Sequence, residues 1–286
     1  MANLKEIRNR ITSVQSTMQI TSAMKMVSAA KLKKAQDAIT AMRPYAEKLT
    51  ELIQNLSATL DAENGGVYAQ QKEVKNVLLV AITSNRGLCG AFNSNVIKQT
   101  RWLIENDYAN KNVSVLAIGK KGGDVLKKTC SILDNKNHIF DNLTFDNVSE
   151  LSEELMQLFA QGKYDKIVLV YNQFKNAATQ IIKAEQFLPL KPLAQKVTTT
   201  KDYIFEPSKV EIIQALIPKS LKTQLYKAIR DSFAAEHGAR MTAMHKATDN
   251  ATELRNQLKL TYNKARQAAI TGEILEIVGG AEALNG

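Results

Sequence analysis

Between Ser208 and Gly286, Leu254, Leu258, Thr261, Ala265, Ala268, Gly272 and Leu275 recur at alternating steps of four and three. This is the a/d spacing of a coiled-coil seam, and it narrows from leucines to small residues toward the end. Ser208 with Glu211 three residues later supplies a capping box, so the helix is expected to begin there and to bend at Pro218. A helix from Ser208 to Val278 would be roughly 105 Å long at about 1.5 Å per residue. A chain of 286 residues builds no core that could bury it from end to end. Such a helix must find a partner helix, and much of it is expected to protrude.

The other end of the chain supplies the partner. Leu4, Ile7, Ile11, Val14 and Met18 step three, four, three and four, with Asn3 as N-cap and Glu6 in the capping-box position. A softer stripe follows in Ala23, Met24, Met26, Val27, Ala29 and Ala30, then the basic Lys31, Lys33 and Lys34. Pro44 is expected to kink or interrupt this helix, which resumes at Tyr45, Leu49, Leu52, Ile53, Leu56 and Leu60. Asp61–Gly66, ending in Asn-Gly-Gly, is the first strong stop.

The middle of the chain has a different period. Val77–Ile82, Val113–Ile118 and Lys166–Tyr171 are continuous apolar runs of strand length, as buried parallel strands require. Thr179–Leu188 reads as a fourth strand, set off by Pro189 and Pro192. Helices are expected over Asn93–Asn106, near Asp124–Lys128 and over Asn147–Gln161. Strands alternating with helices imply a small Rossmann-like parallel or mixed sheet with helices on its faces. The expected fold is therefore α/β plus coiled coil. Residues 1–62 and 208–286 form a discontinuous antiparallel coiled-coil shaft, and residues 74–200 a central α/β domain.

Nucleotide, metal and covalent chemistry find little support. No G-x-x-x-x-G-K-[ST] motif occurs, and Gly87-Leu88-Cys89-Gly90, although it follows a strand and precedes a helix, lacks dinucleotide-fingerprint spacing. Gly119-Lys120-Lys121-Gly122-Gly123 reads as a tight basic turn. Cys89 at a helix start could be an activated thiol, or a small residue in a tight turn. The three histidines, His138, His237 and His245, form no ligand pair and no evident general base, so no cofactor or metal is expected. Two cysteines are too few for a disulfide framework and point to a reducing compartment. No apolar run is long enough to span a membrane, and the amphipathic pattern beginning at Leu4 leaves no apolar leader, favouring synthesis where the chain works.

A net charge of +10 favours an acidic partner without choosing one. Residues 1–48 hold nine Lys/Arg against three Asp/Glu, and residues 208–286 hold eleven against eight. Aromatics are nearly absent from the basic faces, which argues against stacking on single strands. A basic helix could still follow a duplex backbone, so a coiled-coil nucleic-acid-binding protein is the alternative reading. Against it stands the seam itself. Ala, Thr, Met and Gly dominate Ala23–Ala30, Ala239–Thr248 and Ala265–Gly272, where a coiled coil built for stability would carry Leu, Ile or Val. Such a slender rod makes most sense inside a sleeve.

Both ends and the middle resemble one family. Lys5-Glu6-Ile7-Arg8, Ile11, Ser13-Val14-Gln15, Ile20-Thr21, Ala23-Met24 and Met26-Val27 are similar to the opening of the gamma subunit of F-type ATP synthases, as is Arg43-Pro44-Tyr45. Asn85-Arg86-Gly87-Leu88-Cys89-Gly90 resembles that family's central-domain motif, with Asn85 where an aspartate is usual. Ala239-Arg240-Met241, Ala243-Met244, Ala247–Ala251 and Tyr262–Ala268 also match. Ile270-Thr271-x-Glu273-x-x-Glu276-x-x-x-Gly280-Ala281 follows the family signature in order and spacing.

The resemblance implies a non-catalytic rotor subunit. Its coiled coil would pass up the axis of an alpha3beta3 hexamer, and its α/β domain would sit beside the epsilon subunit on the membrane ring of c subunits. Proton flow would turn ring and shaft and drive each beta subunit through its states, with ATP made on beta. Carried over by motif, Met24, Arg240 and Met244 would meet acidic loops of beta. Gln267, Thr271, Glu273 and Glu276 would meet beta loops and the hexamer's apolar collar. Arg86, Gly87, Leu88 and Cys89, with Tyr203 and Glu206, would face epsilon and the c-ring. Most of these side chains are expected to be exposed in the isolated subunit. The chain lacks the cysteine-pair insert of plastid relatives, so no thiol switch is expected. The location implied is the cytoplasmic face of a bacterial plasma membrane, held there peripherally through the ring.

Overall fold

The apolar run Asn76–Ile82 is the middle strand of the sheet, hydrogen-bonded on both edges and covered on both faces. The computed structural model describes residues 4–57, 67–68, 70–190 and 209–285. The elements in order are α1 (Leu4–Ser57), β1 (Asn76–Ile82), α2 (Phe92–Trp102), β2 (Asn112–Ile118), α3 (Lys120–Leu126), β3 (Ser131–Asn135), α4 (Phe145–Ala160), β4 (Lys166–Phe174), β5 (Gln180–Leu188) and α5 (Lys209–Asn285). A π-helical turn, Leu103–Asp107, extends α2, and a 3₁₀ turn, Asn137–Phe140, follows β3. The sheet order is β3-β2-β1-β4-β5, with β5 alone antiparallel.

The chain forms two compact units: Ala29–Arg240, and Met1–Ser28 with Met241–Gly286. The boundary falls inside both long helices. The expected shaft segment from residue 208 therefore divides at Arg240, its first half belonging with the sheet.

In the larger unit, alternation along β1 separates two cores, because successive side chains of a strand point to opposite faces. Val77, Leu79 and Ala81 pack with Val96 and Ile97 of α2, Val115 of β2 and Leu126 of α3. Leu78, Val80 and Ile82 pack with Leu151 and Leu155 of α4 and with Leu221, Leu225 and Ile229 of α5. The first half of α5 is thus a layer of the α/β domain. Thr144 caps α4, its hydroxyl accepting from the Asn147 amide at 3.4 Å, so that helix starts ahead of the expected Asn147. Strand β3 and the 3₁₀ turn were not expected: β3 is a short edge strand with one face half-exposed and no long apolar run.

The basic glycine turn is instead the start of α3. Gly119 has φ +109°, and a Cβ there would lie 2.3 Å from the Thr83 carbonyl oxygen, so β2 can end this close to β1 only with glycine. Pro44 and Pro218 both lie inside continuous helices and end neither.

In the smaller unit the two helices run antiparallel, since Thr21 meets Thr248 while Met18 meets Thr252 and Arg255. On α1 the inward positions are Leu4, Ile7, Ile11, Val14, Met18, Thr21, Lys25 and Ser28. Leu4 to Met18 agree with the periodicity, whereas Ala23, Met26 and Val27 of the softer stripe are exposed. On α5 the inward positions are Met244, Thr248, Ala251, Arg255, Leu258, Tyr262, Ala265, Ala269 and Gly272. Leu258, Ala265 and Gly272 lie on the expected seam, but Leu254, Thr261, Ala268 and Leu275 are exposed. The seam takes the residue one position later at each alternate step, so Leu254, Thr261 and Ala268 turn outward and Arg255, Tyr262 and Ala269 turn in.

Candidate functional site

The loop joining β1 to α2 is a built polar assembly. Ser84 donates its hydroxyl to the Arg86 carbonyl at 2.6 Å and its amide to Asn93 Oδ1 at 2.9 Å. Asn93 Nδ2 donates to Ser84 Oγ at 2.8 Å and to Cys89 Sγ at 3.3 Å. Asn85 accepts from the Lys120 amide at 3.0 Å and donates to the Asn137 carbonyl at 2.9 Å. An aspartate could make only the first of these bonds, which accounts for the amide at this position. Leu88 stands at φ 63° with its side chain exposed. A branched residue in the left-handed region costs roughly 1–2 kcal/mol and persists only where its surroundings hold it.

Helix α5 lies against this loop. The Arg240 guanidinium donates to Glu236 at 2.6 Å and to the carbonyls of Arg86 and Gly87 at 3.2 Å each. Both members of the pair are only 7% exposed. Burial pushes the Glu236 carboxyl up, against the opposing pull of Arg240. His237 is lowered to about 3 by burial, with Arg240 and Lys31 adding repulsion, so it is neutral. Below them Cys89, Phe92, Ala235 and Ala239 form a small core with Phe174.

Cys89 is 2% exposed and its thiol is pushed up by burial, against a smaller opposing pull from the Ser84 hydroxyl beside it, so of the two readings the packed small residue holds. Among the described residues no group of three His, Cys, Asp or Glu is placed to hold a metal ion, and no helix is long and apolar enough to cross a membrane.

The remaining expected site residues scatter. Gln267, Thr271, Glu273 and Glu276 are exposed on α5, as are Arg86 and Leu88 on the loop, while Gly87 and Met24 are half-buried. Arg240 and Met244, expected to be exposed, are buried: the first because its donors are used inside the chain, the second because it sits on the seam. Tyr203 and Glu206 lie outside the described residues. Sequence reasoning missed Glu236 as the brace of Arg240; its spacing of four residues was the available signal.

The outward apolar residues fall in two separate groups. Ile270, Ile274, Ile277 and Val278 recur at helical spacing on α5, and Ile277 is 71% exposed. On α1, Ile20, Met26 and Val27 are more than half exposed. Grouped apolar side chains of this kind mark contact surfaces.

A family model described as ATP synthase matches residues 3–284. A protein named ATP synthase gamma chain from Flavobacterium johnsoniae is 76% identical over 287 residues, covering 100% of both chains. A chain in the cryo-EM structure of the central stalk and c-ring of Tetrahymena thermophila mitochondrial ATP synthase is 28% identical, with TM-score 0.58, covering 80% of this chain and 99% of that one. A chain of the Euglena gracilis mitochondrial ATP synthase, at 22% identity, shares the fold with TM-score 0.70 over 98% of this chain and 94% of its own. Matched by the family model over residues 3–284 and 76% identical across its full length to a protein of that name, the chain belongs to the ATP synthase gamma-chain family.

Proposed function

We propose that this ATP synthase gamma chain, a subunit of the central stalk, works as the rotor that carries rotation of a membrane c-ring to the catalytic hexamer. The supporting observation is the mixed seam: Thr248, Arg255, Ala265, Ala269 and Gly272 share the inward face of α5 with Met244, Leu258 and Tyr262, while Leu254, Leu260, Ile270, Ile274 and Ile277 face out. A helix pair arranged this way stabilises itself poorly and offers its apolar surface to something that surrounds it.

In this reading alpha and beta subunits form the sleeve, and ATP is made on beta. Gln267, Thr271, Glu273 and Glu276 meet beta loops, and Ile270, Ile274, Ile277 and Val278 bear on an apolar collar. Met24 and the Arg240–Met244 region lie where acidic loops of beta push. Because Arg240 and Met244 are buried, their part in that push is to hold the neighbouring surface in shape. The exposed Arg86 and Leu88, with Gly87 and Cys89 behind them and Tyr203 and Glu206 beyond, face epsilon and the c-ring. The subunit is non-catalytic, and the complex sits on the cytoplasmic face of a bacterial plasma membrane, this chain touching the membrane only through the ring.

The test is recovery of the complex. Affinity purification through this chain should yield alpha and beta in fixed stoichiometry with ATPase activity, and vesicles containing the complex should acidify on ATP addition. Salt-sensitive DNA binding without ATP-hydrolysing partners would instead support the nucleic-acid reading.

A further inference from the structure

The order β3-β2-β1-β4-β5 places a topological switch point between β1 and β4: α2 and α3 cover one face of the sheet and α4 the other. In open α/β sheets the crevice outside the carboxyl ends of those two strands is where ligands bind. Here a helix of the same chain fills it. Ala235 and Ala239 of α5 pack on Cys89 and Phe92 beyond β1 and on Phe174 at the end of β4. Asn172 of β4 donates to the Phe92 carbonyl at 2.9 Å and closes the crevice beneath. A Cβ on Gly238 would stand 3.2 Å from the Ala177 Cα, so the helix seats at van der Waals distance on the β4–β5 turn. At the rim Arg240 spans the gap to the Arg86 and Gly87 carbonyls, immediately before the left-handed Leu88.

We infer that Arg240, braced by Glu236, is a positioning residue for torque: it pins α5 to the β1 loop across the switch-point crevice, and load passes between helix and sheet through that pin. This rests on the rotor reading above. Three features carry the inference beyond ordinary packing. The guanidinium donors go to main-chain carbonyls, so the contact resists sliding of the helix whatever side chains the loop bears. Hydrogen bonds from a charged donor in a buried site are among the stronger ones. The strained loop conformation is held at the point the pin engages. The core contacts of Leu221, Leu225 and Ile229 hold the helix nearer its start; the alanines and glycine at the crevice give it no directional contact with the β1 loop, and Arg240 supplies one.

The experiment uses the assembled complex in vesicles, with Arg240→Met, Arg240→Lys and the double variant Glu236→Gln/Arg240→Met, which leaves no lone buried carboxylate. ATP hydrolysis, ATP-driven acidification and amide hydrogen exchange of residues 85–91 are measured on the same preparations. Expected for Arg240→Met and the double variant is faster exchange in the loop, on the order of tenfold, together with less acidification per ATP hydrolysed. Lysine should restore both in part. The inference is overturned if the double variant keeps wild-type exchange, or exchanges faster with acidification per ATP unchanged. It also fails if hydrolysis falls with the ratio intact, which would make Arg240 a contact of the hexamer. Loss of assembly in both variants overturns it as well, since the role assigned is coupling and not folding. A wild-type complex that hydrolyses ATP without acidification would instead remove the rotor reading, while the exchange data still report on the pin.

Discussion

The two halves of α5 use opposite rules. From Ile217 to Ala239 an aliphatic and small set, Ile217, Leu221, Leu225, Ala228, Ile229, Ala234 and Ala235, is inside with the buried polar Thr223, Asp231, Ser232, Glu236 and His237, and the helix completes a core. From Met244 to Leu275 the inward face mixes Met244, Leu258 and Tyr262 with Thr248, Arg255 and Ala269, while Leu254, Leu260, Ile270 and Leu275 look out. The first half finds in its own chain everything its apolar surface requires. Among the described residues the second half does not, as the proposed rotor role would require. A helix that switched rules at Arg240 marks where self-sufficiency stops.

The sharpest way to break this comparison is to delete one leucine from each half. Leu225→Ala, at a fully buried site under the sheet, should cost about 2–5 kcal/mol in chemical denaturation of the subunit. Leu254→Ala should change stability by no more than about 0.5 kcal/mol. Equal costs would mean that the outward face is buried in the isolated chain after all.

A pH series gives the next largest effect. His237 has its folded pKa depressed from 6.5 to about 3. The unfolded chain therefore binds a proton that the folded chain refuses, and this contribution is complete above about pH 6.5 and lost as pH falls toward 3. His237→Gln should flatten the fall in melting temperature between pH 7 and pH 5 relative to wild type. Parallel curves would show that the imidazole is not held neutral.

Within the thin seam, the Thr21 and Thr248 hydroxyls are 2.8 Å apart across the helix pair. A double-mutant cycle with alanine at both should give a coupling of about 1 kcal/mol, the scale of a single part-buried hydrogen bond. Zero coupling would move the register. The smallest effect on stability, within about 0.5 kcal/mol, is expected for Ile274→Ser with Ile277→Ser. The same pair should lower ATP-driven acidification in the assembled complex, because the surface lost is one that a partner covers.

Much of this was legible in the sequence. The runs VLLVAI and KIVLVY read as buried strands because both faces of a central parallel strand are apolar, and the heptads at the two ends read as a helix pair. The rotation of the seam was not legible. Period alone scored Leu254 above Arg255, and no rule based on apolarity selects a face on which apolar groups turn outward. Edge strand β3, Ser131–Asn135, is too short and too polar to announce itself. Of the candidate site, the tip residues Gln267, Thr271, Glu273 and Glu276 stand exposed as expected. The pinning role at Arg240 depends on carbonyls 153 and 154 residues away, and no local pattern reports such a contact.

Rotation itself is the most direct measurement of the central claim. With the hexamer fixed to a surface, a probe is attached through Lys111→Cys, an exposed position just before β2, in a Cys130→Ser background that leaves only the buried Cys89 as native thiol. The rotor account predicts that ATP drives the probe around in one direction, at a rate that tracks hydrolysis. A probe that stays fixed, or that fluctuates without direction while the hexamer hydrolyses ATP, would contradict it.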